Sequence, residues 1–155
     1  MKTVLLIALL IVLLQNSPQA YSQNVRITSM ADFSFGTWGG SNDLQSSDAV
    51  CIYRQGQPNN NYTITMTGPG TGGSFVILSG ANTLAFTAEF AGSDGVYQTM
   101  SAGVARTFGT TNNHGGTTCQ GGTNAQIRIT ILETNILNAE AATFSGTLSV
   151  VVQAI

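Results

Sequence analysis

Chemistry in this chain would have to start from a thin inventory. The only histidine is His114, flanked by Asn113 and Gly115 in a Gly/Thr/Asn-rich stretch. A Ser/His/Asp triad would have to use it, yet no G-x-S-x-G sequence presents a serine on a sharp turn. Seven carboxylates are available: Asp32, Asp43, Asp48, Asp94, Glu89, Glu133 and Glu140. Glycoside hydrolysis needs two of them across one bond, and nothing in their spacing brings two together. Gly68-Pro69-Gly70-Thr71-Gly72-Gly73 spells G-x-G-x-x-G. A dinucleotide fingerprint opens a helix after a strand; here Pro69 sits inside it and Phe75-Val76-Ile77-Leu78 follows, which predicts a hairpin connection. Asn61-Tyr62-Thr63 matches a glycosylation sequon, relevant only on a eukaryotic secretory route. No enzymatic activity, metal or cofactor is expected.

The N-terminus reads as a secretory leader. Met1-Lys2 is a short positive start, residues 4–14 are an almost unbroken apolar run, and residues 15–22 are polar. Cleavage is expected after Ser22, with Ala20 as the alternative site, giving a leader at 1–22 and one domain at 23–155. Eleven apolar residues are too few to span a bilayer, which takes about 20, and no later segment comes close. The mature chain has no lysine, and its four arginines face seven acids, a net charge of about −3. Export makes the cysteines interpretable. Cys51 and Cys119 are an even pair in an oxidising compartment, so a disulfide is expected. With 68 positions between them it would stabilise the fold by roughly 4 kcal/mol. A metal site is disfavoured because C-x-x-C spacing is absent.

The elements that would carry these residues follow from period-two alternation. Tyr62-Thr63-Ile64-Thr65-Met66-Thr67 alternates throughout. Leu84, Phe86, Ala88 and Phe90 line one face of a long run, as do Ile127, Ile129 and Ile131, and finally Leu148, Val150 and Val152. Shorter strands are predicted at 25–28, 32–35, 50–53, 75–78 and 96–100. Turn-forming Gly, Pro, Asn and Asp clusters separate them. Residues 107–124 are predicted to be a long loop, and only 135–142 could hold a helical turn. Seven to nine short strands without long helices predict an all-β fold, a single immunoglobulin-like antiparallel β-sandwich. Charged residues make up only 8% of the chain, and five Lys plus Arg give no basic footprint for nucleic acid.

The order of several segments resembles the spore coat protein U domain. They are Phe33-Ser34-Phe35-Gly36-Thr37-Trp38, Val50-Cys51-Ile52-Tyr53-Arg54, Tyr62-Thr63-Ile64-Thr65 and Gly73-Ser74-Phe75. Cys119-Gln120-Gly121-Gly122-Thr123-Asn124-Ala125 and Phe144-Ser145-Gly146-Thr147-Leu148-Ser149-Val150 continue it to the C-terminus. That domain builds archaic chaperone–usher pili. The resemblance implies an incomplete sandwich lacking its last strand, with an acceptor groove beside the strand of Leu148, Val150 and Val152. Its implied partners are a periplasmic pilus chaperone, an outer-membrane usher and neighbouring pilus subunits. Its implied location is the cell surface, reached through the periplasm. The residues themselves agree that an apolar edge invites pairing with another chain. On periodicity alone, the same strand could be internal to a complete sandwich.

One departure bears on position in a fibre. Only residues 23–31 precede the Phe33 region, and the early cysteine common in shaft subunits is missing. Val25 and Ile27 alternate correctly, so 24–30 is either a short donor segment or the domain's own first strand. A subunit that accepts but does not donate belongs at a fibre tip or in a minor position. The competing reading is a freestanding secreted β-sandwich that binds carbohydrate or a surface, with Trp38, Tyr53 and Tyr97 as contact aromatics.

Overall fold

A computed structural model describes residues 24–55, 61–109, 119 and 122–155. Ten strands are present among them, named in chain order. They are β1 (Asn24–Thr28), β2 (Leu44–Gln55), β3 (Asn61–Thr67), β4 (Val76–Ser79) and β5 (Asn82–Ala85). β6 (Thr87–Ala91), β7 (Tyr97–Thr99), β8 (Arg106–Gly109), β9 (Ala125–Ile131) and β10 (Ser149–Ala154) follow, with one short helix, α1 (Glu133–Leu137), before the last strand.

All ladders are antiparallel, in two main sheets. One runs β1-β2-β9-β6-β7 and the other β10-β3-β8, while β4 and β5 form a separate hairpin. This is the expected all-β sandwich. The order corresponds to strands A-B-E-D of an immunoglobulin sheet facing strands F and C of its partner sheet. In that correspondence β10 takes the place of F, and the position of G lies along its outer edge. Among the described residues no strand pairs there.

The core forms where the inward faces meet, because alternation sends every second side chain to one side. β3 contributes Tyr62, Ile64 and Met66, β6 contributes Ala88 and Phe90, and β9 contributes Ile127, Ile129 and Ile131, all buried. Phe90 and Phe108 meet edge-on with ring centroids 4.7 Å apart. β2 buries both faces over Val50, Cys51, Ile52 and Tyr53. Its second face is covered by Cys119, which is disulfide-bonded to Cys51 with Cα atoms 5.9 Å apart. Asn124 reinforces this closure. Its side chain accepts from the Ile52 N–H and donates to the Ile52 carbonyl, both at 2.8 Å, acting as one more residue of the ladder.

Several elements differ from the sequence reading. The run 84–90 keeps its alternation but is two strands: β5 belongs to the hairpin and β6 to the large sheet. Phe86 marks the change of partner, donating its N–H to the Phe75 carbonyl at 3.0 Å. Part of the predicted loop 107–124 is strand β8. The helical turn begins at Glu133 rather than at residue 135, because Asp43 reaches across to accept the Glu133 N–H at 2.8 Å. The segment 32–35 alternates in burial yet joins no ladder.

Candidate functional site

β10 is the element with an unfinished environment. Val150, Val152 and Ala154 turn inward but remain half-buried, while Ser149, Val151 and Gln153 are exposed. Val150 is paired with Met66 and Val152 with Ile64, both completely enclosed. Leu148, just before the strand, also packs half-buried against the core. The acceptor residues expected from the sequence therefore share one face, at the free side of the smaller sheet.

Val25 and Ile27, the possible donor residues, lie on β1. There they pack against the same core, and β1 pairs with β2 in the register Val25 to Arg54 and Ile27 to Ile52. β1 and β10 are the facing edges of the two sheets. Their Cα atoms come within 8 Å without forming a ladder, closer than the roughly 9.5 Å between two strands that flank a third. In this conformation β1 closes its end of the open flank.

The flank opens beyond β1. The chain turns at Ser29 through a left-handed conformation with φ 64°, and the Ala31 N–H is held by the Asp48 carboxylate at 2.7 Å. Residues 32–35 then run extended along the sandwich, with Phe33 and Phe35 half-buried and Asp32 and Ser34 exposed. Opposite them lies the segment 144–148, tied to the hairpin by a reciprocal pair of backbone bonds between Ser145 and Leu78, at 2.8 and 3.0 Å. Between these walls is a cavity of about 400 Å³, whose lining includes Phe33, Phe35, Ile77, Phe86, Phe144 and Leu148. Asp32 is the one acid on its wall. Phe86 is braced from behind by Phe75, stacked at 5.5 Å. Gly146 allows close approach of this wall, since a Cβ there would come 2.9 Å from Pro69 Cγ and 3.1 Å from Ile77 Cγ2.

The other candidates lie elsewhere. Trp38 is half-buried and its Nε1 donates to the Asn42 carbonyl at 3.0 Å, closing its own loop. Tyr53 is buried against the disulfide. Tyr97 lies 3.8 Å beneath the Arg128 guanidinium and donates to Gln126 at 2.5 Å. Arg128 in turn pairs with its cross-strand neighbour Glu89 at 2.6 Å. These contacts engage all three aromatics within the protein. The glycine-rich 68–73 stretch is a short 3-10 turn between β3 and β4. Gly72 and Gly73 adopt φ values of 68° and 81°, and the Gly68 N–H is bonded to Gly73 O at 2.7 Å. Among the described residues no group of three His, Cys, Asp or Glu could hold a metal, and no helix is long and apolar enough to cross a membrane. His114 lies outside the described residues.

The cavity is what sequence reading missed. Phe33, Ile77 and Phe144 belong to three segments remote in sequence, and only the alternation of residues 32–35 hinted that one of them faced inward.

No family model and no curated protein matches this chain. Among solved structures, the crystal structure of the CupB6 tip adhesin from Pseudomonas aeruginosa is similar with a TM-score of 0.33 and 13% identity. The match covers 84% of this chain and 43% of that one, so this chain spans less than half of the adhesin's length. At that level of similarity, function rests on the geometry of the site.

Proposed function

We propose that this protein is an exported subunit of a chaperone–usher pilus that is completed by an extended strand from another chain. The observation that carries the reading is the outer edge of β10, which forms no ladder among the described residues and leaves Val150 and Val152 half-buried, with the apolar cavity opening beyond β1 at its Leu148 end. An added strand would satisfy backbone groups on that edge and cover the apolar row, with affinity from main-chain pairing and specificity from pockets. The residue order shared with the spore coat protein U domain supports the same reading, as does a disulfide suited to the periplasm. The chaperone, then a neighbouring subunit delivered at the usher, would supply the strand in turn.

The pairing of β1 with β2 supports a tip or minor position. If residues 1–22 are removed as a leader, the first strand is already committed to its own sheet. Val25 and Ile27 would then serve the domain's own sheet rather than act as a donor segment.

The test uses residues 23–155 with the disulfide intact. The chain alone should be poorly soluble and unfold at low temperature, and an alternating apolar peptide should raise its midpoint. At a peptide concentration 100 times Kd the gain is about 2.7 kcal/mol. A stable, soluble monomer with no affinity for such peptides would sink the proposal.

A further inference from the structure

The acids of this protein are almost all spoken for. Asp43 accepts the Glu133 N–H at 2.8 Å, Asp48 the Ala31 N–H at 2.7 Å, and Asp94 the Val96 N–H at 3.1 Å. Glu89 pairs with Arg128 at 2.6 Å, and Glu140 accepts from the Asn82 amide at 2.8 Å. Glu133 sits in the first turn of α1, where negative charge is favoured. Asp32 has no hydrogen bond or ion pair among the described residues, and it is exposed on the wall of the apolar cavity.

That placement constrains what the groove receives. An occupant entering where the flank opens beyond β1 would run extended past Leu148 and the start of β10, with alternate side chains directed at the core and the others toward solvent. Its inward residues meet Phe33, Ile77 and Leu148, so they must be apolar. One side chain at the cavity rim meets an uncompensated negative charge. On a surface with so few charges, a single acid at the docking site can discriminate between segments.

We infer that the groove selects an extended partner segment with alternating apolar residues and a lysine or arginine positioned beside Asp32. This rests on the groove reading above and adds the chemistry of the occupant. Within this chain Val25-Arg26-Ile27 has a similar pattern, but its backbone is laddered to β2. The occupant is therefore a strand of a different protein.

The test is a set of alternating apolar peptides in which one lysine is walked along the solvent-facing positions, with glutamine and glutamate versions of each. Affinities are measured by fluorescence anisotropy on the disulfide-intact chain. At one position the lysine peptide should bind about two- to fivefold tighter than the glutamine peptide, and the glutamate peptide weaker still. Asp32→Asn should abolish the difference, Asp32→Lys should reverse it, and salt of about 0.5 M should compress it. If all versions bind equally, charge selection is wrong while the groove reading survives. If none binds, both fail. If the free chain self-associates in sedimentation with the same dependence on Asp32, the occupant is a second copy and the assignment to a different protein is overturned.

Discussion

Val152 stands opposite Ile64 in the β10–β3 register, on the same inner face, yet Ile64 is fully enclosed and Val152 is half-exposed. The difference is lateral. Ile64 has β10 on one side and β8 on the other, where it faces Arg106. Val152 has a hydrogen-bonded neighbour on one side alone among the described residues, since β1 approaches β10 without forming a ladder. Identical alternation therefore yields unequal burial at a sheet edge, and on the proposed reading an added strand would make up the deficit.

This deficit makes the effect of a substitution depend on occupancy. Val152→Ala should cost about 1 kcal/mol in the free chain and roughly twice that when a peptide fills the groove. Val151→Ala, on the exposed face, should stay within about 0.5 kcal/mol in both states. Urea unfolding with and without peptide checks this. Equal losses for Val152→Ala in the two states would mean that the peptide does not cover β10.

The Cys51–Cys119 bond closes a separation of 68 residues and is sealed by Tyr53, with both cysteines almost fully buried. Its loss should remove roughly 2–5 kcal/mol, a large part of the stability of a small domain. Thermal unfolding with and without reductant, beside the double Cys51→Ala/Cys119→Ala variant, should show matching drops in Tm. Unchanged Tm on full reduction would contradict this.

Much of the sandwich was legible in the sequence because burial on one face leaves a period of two. β3, β9 and β10 show it cleanly. Other elements were hidden for physical reasons. The first half of β2 is Leu44-Gln45-Ser46-Ser47-Asp48, whose inward positions are largely polar, and β8 has one buried apolar residue, Phe108. Side-chain alternation also continues through Phe86 although the backbone changes partners there, and through 32–35 although no ladder exists. Periodicity reports facing, not pairing. The half-buried row Leu148, Val150 and Val152 was readable because it lies on one continuous segment, whereas the cavity was not, because three distant segments build it.

Tyr62 gives a pH-dependent prediction. Its ring is fully enclosed and its hydroxyl has no partner among the described residues. Burial foremost, with the Asp94 charge second, pushes its pKa upward from the usual tyrosine value. The unfolded chain releases this proton above about pH 10, while the folded chain retains it. The unfolded state then binds fewer protons, so stability falls as pH rises above 10, by about 1.4 kcal/mol per pH unit. Tyr62→Phe should flatten that decline and add about 1 kcal/mol at neutral pH by removing an unpaired buried hydroxyl. Urea midpoints between pH 7 and roughly pH 11 decide it, and an unchanged alkaline slope in the variant would assign the decline to another group.

Gly146 tests whether the cavity wall is as tightly set as its contacts indicate. An added Cβ would meet Pro69 Cγ at 2.9 Å and Ile77 Cγ2 at 3.1 Å. The proline ring cannot rotate away, and the Ser145–Leu78 bonds oppose sliding of the backbone. Gly146→Ala should therefore cost about 1–3 kcal/mol as overpacking. It should also weaken peptide binding, since the displaced wall carries Phe144 and Leu148. Gly39→Ala is the matched control: nothing lies within 4 Å of its added Cβ, and its φ is outside the left-handed range. That variant should be neutral or slightly stabilising through the unfolded chain. Equal behaviour of the two in urea midpoint and peptide titration would show that the wall yields freely, and that the cavity shape does not govern what enters it.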